Sequence, residues 1–288
     1  MISRLGILFM RAIAPLPLAW IRALGAMVGL LLFVAVRSRR RVVDVNLRLC
    51  FPQWSAAQRR RCAREVFIHV AQAWFDRAWL WHADPEVVRR RLALTGAVGE
   101  LSGSEGTIVF CPHFVGLDAG VTALSQQVVR RFVGIYTRQS DPVIDAWALR
   151  GRYRFGNARP MSRSEGVRDI IAVLRSGGVL YLLPDMNFGA EESVFVPFYG
   201  VPAATVPSLS RFARLGRAKV VPLITRLTPT GYEVRVLEAW ADFPSRDFVA
   251  DTALMNRRLQ EYIDPMPSQY YWVHKRFKSR PPGEPPVY

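Results

Sequence analysis

From residue 107 onward, short apolar runs alternate with stretches of helical periodicity, and this restricts the fold more than any other feature of the chain. Thr107–Cys111 (TIVFC), Phe132–Tyr136 (FVGIY), Val179–Leu183 (VLYLL) and Val220–Thr225 (VVPLIT) read as strands buried on both faces. Tyr232–Leu237 (YEVRVL) alternates apolar with polar, which predicts an edge strand. Helices are expected near 117–129, 142–155, 165–175 and 205–215, with Gly177 and Gly178 stopping the third. Strands separated by helices predict an α/β fold, a largely parallel or mixed central sheet flanked by helices. No internal repeat is present, and the only low-complexity stretch is the tail PPGEPP.

The N-terminal part follows other rules. Ala23–Val36 (ALGAMVGLLLFVAV) is continuously apolar, and at about 1.5 Å per residue it falls short of the hydrocarbon core. Extension back through Trp20 and Ile21 reaches far enough if Arg22 snorkels to the interface, and Pro15 and Pro17 mark the helix start. A cleaved signal peptide is opposed by Arg37, Arg39, Arg40 and Arg41, which follow the run directly and hold their side in the cytoplasm. An uncleaved N-terminal membrane helix is the expectation, and a buried helix of a soluble fold is the competing reading. Residues 42–92 are expected to be helical and basic. Trp74, Phe75, Trp79 and Trp81 lie among their arginines, which suits either a membrane interface or an ordinary helix pair.

Composition narrows the chemistry. The 288 residues carry 39 Lys+Arg against 23 Asp+Glu, a net charge of +16 that calls for an anionic partner. Almost all of the basicity is arginine, the lysines being Lys219, Lys275 and Lys278. Mean hydropathy of +0.10 is too low for a protein of many membrane spans. Cys50, Cys62 and Cys111 form no C-x-x-C pair, so neither a disulfide framework nor a zinc ribbon is offered. His69 and His82 lack ligand partners in sequence, so no metal and no cofactor is expected.

The chemistry is placed at the end of the first buried strand, where CPHFVGLDAG sets His113 just past the strand and Asp118 five residues later. On one continuous helix the two would differ by about 140°, so they meet only if His113 is in the loop and Asp118 in the first helical turn. There the carboxylate would orient the imidazole as a general base. Cys111 is the competing nucleophile, disfavoured because a strand cysteine is usually inert core. No G-x-S-x-G elbow exists to support a serine hydrolase.

An ordered series of blocks accompanies this pair. HFVGLD matches the H-x4-D motif of the glycerolipid acyltransferase superfamily. GIYTR (134–138), LLPDMN (182–187) and VVPLI (220–224) occupy the places of its later blocks. More specifically, RRRVVDVNLRLCFP, SVFVPFYGVPAATVPS and QYYWVHKRFKSRPPGE make the chain resemble the bacterial lipid A biosynthesis acyltransferases, the lauroyl and myristoyl transferases, almost end to end. The resemblance implies transfer of a fatty acyl chain from acyl carrier protein to a hydroxyl of a lipid A precursor at the anionic inner membrane, with the catalytic domain cytoplasmic.

Carried over by position, His113 is the general base and Asp118 its partner. Arg138 and Arg163 are candidates to hold an anionic group, with Asp185 and Asn187 on the substrate side. Many family members have Glu at the place of Asp118 and Asp at the place of Asn187. The expected organisation is an anchor and basic flank over 1–41, then one acyltransferase domain over 42–288, with a helical lead-in over 42–92 and an α/β catalytic core over 93–288.

Two alternatives stay open. One is an acyltransferase for another glycolipid or glycerolipid; the other is a non-enzymatic basic protein that binds membrane or nucleic acid. No nucleic-acid motif supports the latter, so no nucleic-acid partner is expected. The run Phe195–Tyr199 lines an acyl groove in one reading and is plain core in the other, and His274 either touches substrate or lies at the surface.

Overall fold

A computed structural model of the chain describes residues 2–156, 158–162 and 166–288. The chain opens with four helices: α1 (Ile2–Ile13), α2 (Leu18–Ala35), α3 (Arg37–Cys50) and α4 (Ala56–His82), followed by the short α5 (Pro85–Arg90). Ser55 caps α4 in a reciprocal box with Gln58, satisfying the donors that the first turn leaves unpaired.

The strands are β1 (Leu92–Gly96), β2 (Thr107–Phe110), β3 (Phe132–Tyr136), β4 (Ala158–Ser162), β5 (Val179–Leu182), β8 (Lys219–Thr228) and β9 (Gly231–Val236) in one sheet, and β6 (Val194–Phe198) with β7 (Val201–Thr205) in a small antiparallel sheet. The main sheet has seven strands in the order β1-β9-β8-β2-β5-β3-β4. All its pairs are parallel except β8 with β9. The helices α6 (Leu117–Gln127), α7 (Pro142–Arg152), α8 (Val167–Arg175), α9 (Ser208–Gly216) and α10 (Phe248–Ile263) complete the fold. Mixed sheet and flanking helices agree with the α/β expectation.

Along β2 the side chains alternate between two cores. Ile108 and Phe110 join the core that includes α8, α9 and α10 residues, while Val109 and Cys111 join the one with α6 and α7 residues. The expectation for β9 is corrected: it lies between β1 and β8, and the edges are β1 and β4. Its neighbour β1 is a five-residue strand without a strong apolar run, which is why the alternation of β9 looked like an edge.

The N-terminal helix also departs from expectation in one respect. Arg22 does not snorkel. Its guanidinium is buried against Asp76 of α4 (Nη2 to Oδ2, 3.0 Å) and donates to the Gly231 carbonyl at 2.9 Å. Tyr232 and Trp79 donate to the same carboxylate. Gly25 and Gly29 face α4 so closely that a Cβ would meet the backbone of Gln72 at 2.8 Å and of Ile68 at 2.6 Å. Ile21, Gly25, Gly29 and Phe33 thus form a stripe, four residues apart, buried in the body. The other side is open: Trp20, Leu31 and Val34 are 68%, 61% and 68% exposed. α2 is the one described helix long and apolar enough to cross a membrane, and it is also one wall of the folded body.

Candidate active site

The parallel strands β2, β3 and β5 end on the same side of the sheet, where α/β proteins place their ligand sites. The loop after β2 carries His113, and the loop after β5 carries Asp185. Because β2 and β5 are hydrogen-bonded neighbours, two residues 72 positions apart become adjacent. His113 donates from its backbone N–H to Asp185 Oδ2 at 3.0 Å, and its Nδ1 lies 2.7 Å from Oδ1. Tyr270 completes the arrangement, its hydroxyl donating to Oδ2 at 2.9 Å. The C-terminal segment is strapped to the His113 loop by Tyr271 N–H to the His113 carbonyl and Val115 N–H to the Gln269 carbonyl, both 2.9 Å.

Asp185 is fully buried, and burial alone would raise its carboxyl. The charge of His113 and the hydrogen bonds from His113 and Tyr270 outweigh that and hold it below the ordinary carboxylate range. An ionised Asp185 favours the His113 tautomer with its proton on Nδ1, the one in which Nε2 is the acceptor nitrogen. Tyr270, buried beside this carboxylate, is pushed well above the usual phenol value and stays a donor.

His113 lines a cavity of about 500 Å³, a volume typical of small-ligand pockets. Val121, Leu124, Phe132 and Ile135 give it an apolar wall, and Arg77 and Arg152 supply its positive charge. A cleft of about 620 Å³ beside Trp54 and Arg226 contains none of these groups.

Asp118 lines the same cavity, but its partners differ from expectation. It accepts from Arg77 Nε and Arg152 Nε, each at 2.7 Å, one guanidinium from α4 and one from α7. Asp118 sits in the first turn of α6, and its two oxygens are taken up by these arginines while His113 turns to Asp185. Desolvation would raise its pKa, yet Arg152 and Arg77 overcome this and hold the carboxyl well below the usual range. Arg77 also lies 4.2 Å from the Trp74 ring centre, which fixes its plane. Neither arginine was singled out in sequence. Their only signals were an arginine inside the WFDRAW aromatic cluster and one in the basic run RGRYR.

This geometry sets a stability prediction. Asp118→Asn leaves two arginines half-paired beside a buried amide, costing about 3 kcal/mol, or roughly 5–10 °C in melting temperature. Because the folded carboxyl titrates below its unfolded value of about 3.9, the stabilisation is complete above about pH 5 and is lost as pH falls toward the depressed folded value. Melting curves of wild type and Asp118→Asn should therefore converge as pH drops below about 4. A gap that stays constant from neutral pH to pH 3 counts against an ionised Asp118.

The other expected site residues separate. Asp185, expected on the substrate side, lies behind His113 with no exposed surface. Asn187 is committed to the fold. Its N–H donates to His274 Nε2 at 3.1 Å, its Nδ2 to the Arg276 carbonyl at 3.4 Å, and its Oδ1 accepts from Gly189 N and Ser279 Oγ at 3.1 Å each. Arg138 follows β3 but its side chain is 80% exposed, with Nε 4.0 Å from Asp145, and it does not line the cavity although Thr137 and Gln139 do. Arg163 lies outside the described residues.

His274 is half-buried and lowered to about 4 by desolvation, Arg276 and His113, so it is a neutral acceptor for the Asn187 turn. Cys111 is buried, donates to the Tyr181 hydroxyl at 2.7 Å, and is raised by burial to about 12, which removes it as a thiolate nucleophile. Val196 and Phe198 are buried in the core, Pro197 is exposed, and none of Phe195–Tyr199 lines the cavity, so the run does not form its wall.

Comparison with known proteins decides the family. Residues 1–279 match the family described as bacterial lipid A biosynthesis acyltransferase. The chain belongs to this family. The chain is 31% identical to the lipid A biosynthesis lauroyltransferase of Escherichia coli over 99% of this chain and 94% of that one. It is also 31% identical to a lipid A biosynthesis acyltransferase of Haemophilus influenzae, over 97% and 88% of the two chains. The lipid A biosynthesis myristoyltransferase of Escherichia coli is 31% identical over 86% of this chain and 78% of its own. Among solved structures, the 1-acyl-sn-glycerophosphate acyltransferase PlsC from Thermotoga maritima aligns over 85% of this chain and 94% of its own, with 11% identity and a TM-score of 0.39. In this chain the His113 loop, the β5 loop and the C-terminal strap meet beside the cavity.

Proposed function

We propose that this lipid A biosynthesis acyltransferase moves a fatty acyl chain from the thioester of acyl carrier protein to a hydroxyl of a lipid A precursor, with His113 as general base. The observation that carries the reading is the chain Tyr270–Asp185–His113, which points the imidazole into an apolar-walled cavity. His113 Nε2 takes the acceptor hydroxyl's proton as the oxygen attacks the thioester carbonyl. The tetrahedral adduct collapses, the C–S bond breaks, and the imidazolium returns the proton to the departing thiolate. The apolar wall suits the acyl chain, and Arg77 with Arg152, held in place by Asp118, suits an anionic group such as a phosphate of the acceptor.

The membrane contact follows from α1 and α2. Leu5, Leu8 and Phe9 of α1 and Trp20, Leu31 and Val34 of α2 are exposed apolar residues near the N-terminus, while Arg22 ties α2 to the body. The helix therefore embeds its open face in the cytoplasmic leaflet of the inner membrane without leaving the fold. The test uses purified full-length protein, an acyl carrier protein thioester and a lipid A precursor, read by mass spectrometry of the acceptor. A mass gain of one acyl chain, with release of free carrier thiol, is expected. An unchanged acceptor, or equal transfer to a simple glycerophosphate, removes this reading.

A further inference from the structure

We propose that the cleft between the end of α2, α3 and the start of α4 binds the phosphate headgroup of an anionic membrane phospholipid, whose acyl chains run along the open apolar side of α2. The proposal rests on the membrane-facing reading of α2 given above. The cleft measures about 540 Å³ and is lined by Arg37, Arg40, Arg41, Arg60, Phe33 and Asp44. Four arginines against one aspartate leave +3 in a single concavity. The aspartate is itself within 3.9 Å of Arg48, outside the cleft lining.

One of the four is built in. Arg40 donates to the Phe33 carbonyl at 2.8 Å, and its guanidinium lies 5.4 Å from the Phe33 ring centre. Arg37, Arg41 and Arg60 are exposed and have no hydrogen-bond or ion-pair partner among the described residues. Guanidinium groups with free donors converging on one hollow suit a phosphate, which each can bind through two parallel bonds.

Position selects a lipid rather than an acidic protein as the occupant. The cleft begins where the apolar run ends, and Leu30, Leu31, Leu32 and Val34 in the last turns of α2 are exposed beside it. Phosphate-binding cations next to acyl-binding aliphatics reproduce the order of headgroup and chain in a leaflet. The cleft shares no lining residue with the His113 cavity, so it is a site apart from the reaction.

The experiment compares full-length wild type with the triple variant Arg37→Gln, Arg41→Gln, Arg60→Gln by vesicle sedimentation. One set of vesicles is phosphatidylcholine and the other phosphatidylcholine with phosphatidylglycerol. Each arginine contributes about five-fold to attachment to an anionic leaflet, so the variant should lose on the order of 10²-fold in partition onto the phosphatidylglycerol vesicles. Both proteins should bind phosphatidylcholine equally, with equal melting temperatures, because none of the three side chains has a partner to lose. Native mass spectrometry should find one phosphatidylglycerol retained on wild type and none on the variant.

Unchanged partition onto phosphatidylglycerol overturns the proposal. So does a raised KM for the acyl carrier thioester with unchanged partition, which would give the cleft to the carrier protein. Equal protection of wild type by inorganic phosphate in detergent overturns the lipid as source. If wild type fails to bind phosphatidylcholine at all, the membrane-facing reading of α2 has failed instead, whatever the variant does.

Discussion

His113→Ala is expected to lower the turnover of acyl transfer by about 10⁴-fold, the upper end of what a positioned base contributes, with little change in the KM of the lipid acceptor. The imidazole is oriented from behind by Asp185 and opens to the cavity, whereas Asp118, in the same lining, is taken up by two arginines. Arg77 and Arg152 bond Asp118 rather than the imidazole, so binding should persist when the ring is removed. Removal of the ring leaves Asp185 with Tyr270 and the His113 backbone N–H as donors, so the buried carboxylate keeps two of its three hydrogen bonds. The variant should therefore fold, and its melting temperature should show that. Full transfer by folded His113→Ala enzyme ends the assignment of His113 as base.

Most of the sheet was readable because its strands are short, wholly apolar runs; β2, β3 and β5 lie within a residue of where such runs predict them. The missed strands carry weak or conflicting signals, among them β1 (LALTG), a short edge strand with a threonine and a glycine. β4 (ARPMS) sits at an edge and contains a proline and an arginine, and β6 and β7 each contain a proline and pair only with one another. In the helical region, Trp79 and Trp81 proved to be core and Trp74 stays half open, a division set by which side of α4 meets α2, α7 and the sheet.

The site was legible only where it is local. His113 follows a recognisable strand, so its place was readable. Its partner is not local: Asp185 reaches it because β5 lies next to β2, and sheet order is not written in either segment. Asp118 is close in sequence but turned toward α4 and α7, whose arginines lie 41 positions before it and 34 after it. The same remoteness hid Tyr270, which joins the site from the C-terminal strap.

These two carboxylates make opposite predictions. Asp185→Asn should lower turnover by about 10²- to 10³-fold without raising acceptor KM, because an amide oxygen can still accept one hydrogen bond but carries no charge to stabilise an imidazolium. It is a positioning residue, acting through His113, so its effect should vanish when His113 is absent. The double variant His113→Ala, Asp185→Asn should be as slow as His113→Ala alone, because groups that act as a unit are strongly non-additive. Asp118→Asn, in contrast, should add its loss to that of His113→Ala, since its bonds run to Arg77 and Arg152 and hold an anion-binding pair rather than the base. Tyr270→Phe gives the intermediate case, removing one donor from the Asp185 carboxylate while leaving both bonds to His113 in place, and a loss of about tenfold is expected. The measurement is single-turnover transfer for the four single variants and the two doubles. Additive losses for His113 with Asp185, together with a non-additive loss for His113 with Asp118, would return the orienting role to Asp118 and show that the site rearranges when substrate is bound.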